Sequence, residues 1–117
     1  LFVIMQEALA RQVGAEAAGF VPQVFCLHDT DAIHKLISDT GFRDVTVAAN
    51  TRSLPLPAPK DFLWQYVHST PLAGAVAQLD AGQRNALEHE VVAKWQEFVT
   101  DDALMLEVRM VLATARK

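Results

Sequence analysis

Leu1, Met5, Ala8, Leu9 and Val13 recur at helical spacing and predict a helix that stops at Gly14. Glu7 and Arg11, four residues apart, fall on its wet side. Ala15 to Phe20 reads as a further short turn of helix, and Val21 to Leu27 as an extended connector fixed by Pro22. Asp29 then reads as an N-cap with Asp31 in the first turn, where the helix dipole favours negative charge. Ile33, Leu36 and Ile37 form the apolar stripe of that helix, and Asp31 and Lys35 make a second pair four apart. Gly41 stands where a left-handed cap is needed. Phe42 follows it, placed for the hydrophobic contact of a Schellman motif with Ile37.

From Arg43 to Leu54 the period becomes two. Val45, Val47, Ala49, Thr51 and Ser53 face one way, and Thr46, Ala48, Asn50 and Arg52 the other, which predicts a strand half exposed to water. Pro55, Pro57 and Pro59 end it by removing backbone donors, and Pro59 suits the first position of a helix whose apolar face is Phe62, Leu63, Tyr66 and Val67. Thr70-Pro71 opens a short, Ala-rich helix. Asp80 with Gln83 three residues on resembles a capping box. Behind it Arg84, Leu87, Val91, Trp95 and Phe98 mark the longest helix, about Ala81 to Val99, with Glu90 and Lys94 paired on its exposed face. Thr100-Asp101-Asp102 makes a turn, and alternation returns from Leu104 to Ala115. Leu104, Leu106, Val108, Met110 and Leu112 lie on one side, Met105, Glu107, Arg109, Val111 and Ala113 on the other. The pattern predicts an α+β fold: several helices on a small antiparallel sheet containing strands near 43–54 and 104–115, in one domain spanning 1–117.

Composition narrows the role. A chain of 117 residues that is 51% hydrophobic and 21% charged can build a core and lacks the signature of disorder. A formal charge of −4 argues against nucleic acid, which selects clustered Lys and Arg. No apolar run approaches the roughly 20 residues that span a bilayer, so no membrane is expected. The lone Cys26 can make no internal disulfide, which points to a reducing cytoplasm. The opening Leu1-Phe2-Val3-Ile4-Met5 has neither a basic leader nor an initiator Met, as expected of a chain that begins partway through something longer.

Visible chemistry is sparse. Cys26, His28 and His34 are close in sequence, but with His68 and His89 in other helices they do not complete a zinc ligand set, and no metal is expected. Cys26 has no orienting partner and reads as a small buried thiol in a connector. The glycines at 14, 19, 41, 74 and 82 form no phosphate loop, and Asp101-Asp102 reads as a solvated turn. One concentration remains. Phe62 and Tyr66 share a helix face, while Trp64 and His68 share a nearly opposite one, as in a helix that lies between two layers or lines a pocket. Ordinary core plus one rim tryptophan is the plainer reading of the same residues.

Local wording adds a resemblance. Asp29-Thr30-Asp31-Ala32-Ile33-His34-Lys35-Leu36-Ile37, leading to Thr40-Gly41-Phe42-Arg43-Asp44-Val45, resembles the helix–turn–strand segment late in class I S-adenosylmethionine-dependent methyltransferases of the small-molecule type. Arg52, Leu54, Pro57, Pro59 and Phe62 match that family's following stretch, and Ser69-Thr70-Pro71-Leu72-Ala73-Gly74-Ala75 is similar to its next helix. Ala113-Thr114-Ala115-Arg116-Lys117 is similar to its common ending, and Leu1-Phe2 through Ala8-Leu9-Ala10-Arg11 to Gly14 to the helix after its fifth strand. Ala58 departs from the family's Ser or Thr helix cap, so that helix should start less firmly.

The resemblance implies the substrate-side, C-terminal part of such an enzyme. The family's cofactor loop and the acidic residue ending its second strand belong to an N-terminal half outside these residues. S-adenosylmethionine is thus implied for the parent family and is not expected to bind this chain, which should not be catalytically competent alone. Pocket walls would come from Phe2, Met5, Phe62 and Tyr66, with no catalytic residue carried over. The competing expectation is a stand-alone, non-enzymatic α+β module acting through self-association or an apolar small ligand. The resemblance also sets the last strand beside 43–54, with its outer edge open unless a further strand or the long helix covers it. An open edge predicts a homodimer through strand 104–115.

Overall fold

A computed structural model describes all 117 residues. Six helices and three strands follow in the order α1 (Phe2–Gln12), α2 (Ala15–Val24), α3 (Thr30–Ser38), β1 (Arg43–Leu56), α4 (Pro59–His68), α5 (Leu72–Val76), α6 (Ala81–Trp95), β2 (Val99–Thr100) and β3 (Ala103–Arg116). A 3₁₀ turn over Gln96–Phe98 ends the long helix. The strands form one antiparallel sheet in the order β1-β3-β2. The α+β expectation holds, with the two long strands as neighbours.

The chain divides into two units, residues 1–24 with 55–106, and residues 25–54 with 107–117. The first holds every buried side chain. Met5, Ala8 and Leu9 of α1, Ala17, Ala18 and Val21 of α2, Leu63 and Val67 of α4, Leu72 and Val76 of α5, Leu87, Val91 and Trp95 of α6, and Leu104 of β3 make one apolar cluster. Burying each larger member is worth roughly 1.5–3 kcal/mol, which makes this cluster the main source of stability. Two polar ties reinforce it. The Trp95 indole N–H donates to the Leu1 carbonyl at 3.0 Å, and Glu90 on α6 accepts from Arg11 Nε at 2.7 Å and from Gln12 at 3.4 Å on α1.

The predicted Glu7–Arg11 pair is replaced by that longer-range contact, and Lys94 stands 3.5 Å from the same Glu90 carboxylate. The connector expected from Val21 is also helical. α2 runs to Val24 with Pro22 inside it, and burial of Ala17, Ala18 and Val21 outweighs the one hydrogen bond that Pro22 cannot donate. The long helix closes as expected at its start, where Asp80 accepts from Gln83 N–H and the Gln83 side chain accepts from Asp80 N–H. The hairpin after it is new. Asp101 and Asp102, at φ 51° and 63°, form the two-residue turn that pairs Thr100 with Ala103.

In the second unit Asp29 caps α3, accepting from the amides of Asp31 and Ala32. Lys35 pairs with Asp39 at 2.6 Å instead of Asp31, which carries the lysine's positive charge toward the helix C-terminus, where the dipole favours it. Gly41 has the expected left-handed backbone, φ 95°. Only part of the Schellman motif forms: Gly41 N–H reaches Ser38, while the Ile37 carbonyl accepts from the Thr40 amide and hydroxyl. Arg43 donates to the Lys117 carbonyl at 3.3 Å and Arg116 stands 4.0 Å from Asp44, contacts that match antiparallel β1 and β3. No side chain in this unit is fully buried, and Phe25, Leu27, Leu36, Phe42, Leu54, Met110 and Leu112 are exposed.

Candidate functional site

Phe62 and Tyr66 occupy successive turns of α4 because the helix sends Leu63 and Val67, one position further round, into the core. Their ring centroids lie 6.1 Å apart. Phe2 of α1 approaches Tyr66 at 5.4 Å, and Trp95 of α6 approaches Phe62 at 5.7 Å, all in tilted geometry. Three of the four residues expected to wall a pocket, Phe2, Phe62 and Tyr66, therefore meet as one half-buried aromatic cluster on two helices, α1 and α4. Met5 does not join a wall. Its side chain is fully buried in the apolar core, one helical turn from Phe2 on the same face of α1.

Tyr66 carries the one polar anomaly of this cluster. Its hydroxyl is sealed from solvent and has no hydrogen-bond partner, and burial pushes its pKa up from the ordinary tyrosine value. An open groove runs past the ring, lined by Phe62, Gln65, Tyr66, His68 and Ser69. A second, lined by Pro57, Asp61, Trp64, Gln65 and His68, lies on the other flank of α4.

Trp64 and His68 occupy that flank, stacked at 5.9 Å. The sequence offered this pair but not its partners. Trp64 donates its indole N–H to Glu88 at 2.6 Å, Arg84 sits 5.0 Å above its ring, and Lys60 lies 3.5 Å from Glu88. The available signal was the spacing of Arg84 and Glu88, four apart on α6, which puts both on one face toward α4. These contacts explain why Arg84 ends half-buried within a stripe otherwise apolar. They tie α4 to α6 through the rim tryptophan.

The remaining candidates are apart. Cys26 is exposed between α2 and α3, against the buried thiol expected, because α2 carries the chain out of the core by Val24. His34 lies 3.3 Å from Ser38 on the exposed face of α3, and His89 is exposed on α6. No three His, Cys, Asp or Glu side chains gather to hold a metal ion. The five glycines are scattered through the fold. Gly19, Gly74 and Gly82 lie within helices, Gly14 ends α1, and Gly41 precedes a strand. A Cβ at Gly14, Gly19, Gly41 or Gly74 would meet no protein atom within 4 Å. No helix is long and apolar enough to cross a membrane. No family model, curated protein or solved structure matches the chain.

Proposed function

We propose that this chain is the substrate-side, C-terminal portion of a class I S-adenosylmethionine-dependent methyltransferase acting on a small molecule, and is not catalytically competent alone. One observation carries the reading: β1 and β3 are neighbours although the whole helical stretch 57–102 separates them, with the Gly41-Phe42 turn leading into β1. That is the arrangement the resemblance implies for the last two strands and the helices over the substrate. In such an enzyme the bound cofactor supplies an electrophilic methyl group, and the protein contributes positioning and exclusion of water. The contribution of this chain is apolar wall. Phe2, Phe62 and Tyr66 offer an aromatic surface held rigid by the core behind it, and Tyr66 adds a hydroxyl in want of a partner. The single exposed cysteine is in keeping with a reducing, cytoplasmic setting.

The reading frame upstream of Leu1 tests this. A predicted strand followed by a glycine-rich loop and helix, in frame, is the expected result. A frame without one would overturn it and leave the second reading, a stand-alone module acting by self-association or by taking up an apolar small ligand. That alternative draws support from the second unit, which exposes seven of the ten large apolar side chains found on the surface.

A further inference from the structure

The hairpin turn fixes which side of β3 each peptide faces. Thr100 and Ala103 flank a two-residue turn with positive φ at both positions, so they exchange hydrogen bonds across the pair. The N–H and C=O of Ala103 therefore point toward β2, away from β1, and alternation sends those of Glu107, Arg109, Val111 and Ala113 the same way. β2 pairs only with Ala103 and Leu104. From 107 onward this edge carries no strand and has no proline, and the side chains of Met110 and Leu112 between its open positions are exposed, the latter 69% accessible. Such an edge is a template for another strand.

We infer that its occupant is the same edge of a second copy of this chain, paired antiparallel about a two-fold axis at Leu112. Sterics and charge favour that register over an axis at Val108. An axis at Val108 would run residues 112–113 of the second copy into β2, and the Arg109 guanidinium it would need already donates to the His28 carbonyl at 2.6 Å. With the axis at Leu112, Lys117 of the second copy stands opposite Glu107, clear of β2, and the ion pair forms twice. Leu112 meets Leu112 in a non-hydrogen-bonded pair, where side chains approach most closely and apolar contact counts most. The inference goes beyond the methyl-transfer reading and concerns the chain by itself; a methyltransferase of the resembling kind would give this edge to another strand of its own domain.

Sedimentation equilibrium on the full chain at tens of micromolar tests it. The expected mass is twice 12.9 kDa. Leu112→Lys should return the monomer. Glu107→Lys should weaken association about tenfold by setting like charges opposite each other twice, and adding Lys117→Glu should restore it. Leu112→Cys in a Cys26→Ser background should cross-link on oxidation, since the paired Cα atoms lie within disulfide reach. A monomeric wild type, or a dimer indifferent to Leu112→Lys with no cross-link, would overturn the proposal. The disulfide variant keeps the register testable if the lysine variant fails to fold. Neither outcome bears on the upstream glycine-rich loop, so the two proposals fail separately.

Discussion

The fold shifts the protonation of Glu90 and Tyr66, and each makes a prediction. The hydrogen bond from Arg11 holds the Glu90 carboxyl below its ordinary value of 4.5, outweighing the opposite effect of burial, with Gln12 and Lys94 adding to it. A depressed carboxylate stabilises the fold above its unfolded pKa, and that stability is lost as pH falls through the folded value. Acid unfolding followed by circular dichroism should therefore show stability falling progressively below pH 4.5, with a shallower acid limb in Glu90→Gln. Equal limbs would mean that the α1–α6 tie contributes nothing. Tyr66 has the opposite character. Its buried hydroxyl lacks a partner, which costs about 1–3 kcal/mol in desolvation. Tyr66→Phe keeps the ring stacking on Phe2 and Phe62 and should raise Tm by a few degrees; a fall would reveal a hydrogen bond that the hydroxyl makes in solution. Neither environment was legible in sequence, because Glu90 reads only as an i,i+4 partner of Lys94 and Tyr66 only as a face residue of its helix. Distant contacts made both. At the same scale, Asp29, Asp80 and Gly41 were legible, since caps and left-handed turns depend on neighbours within a few residues.

Elements with their own punctuation came through the sequence nearly intact. α6 has a capping box at one end and β3 is one continuous strand, while β1 runs on through Pro55, expected to end it, and stops at Leu56 before Pro57. α2 did not, because Pro22 is a local signal for a break while Ala17, Ala18 and Val21 are buried by helices far away in sequence. The β2 hairpin was missed for a related reason. Two paired residues hold no period, and a double-aspartate turn lacks the glycine that usually announces positive φ. The candidate wall divides along the same line. Phe62 and Tyr66 are neighbours by helical spacing and could be read, whereas the approach of Phe2, the burial of Met5 and the clamp of Trp64 by Arg84 and Glu88 depend on how α1 and α6 pack on α4.

For the molecule as a whole, the first unit holds the buried core, while the second has a well-capped amphipathic helix and the strand segments 43–54 and 107–116 without one buried side chain. Helical and strand patterning of that quality implies apolar faces meant for cover. A further strand of a larger domain and a second copy of the chain are the two ways of supplying it on the β3 edge. The central claim is that this chain completes a methyltransferase rather than constitutes one. Calorimetric titration of S-adenosylmethionine tests it without knowledge of the methyl acceptor, on this chain and on the polypeptide that includes the upstream reading frame. The account predicts micromolar binding by the longer polypeptide and none by residues 1–117 alone; binding by the short chain, or by neither, would contradict it.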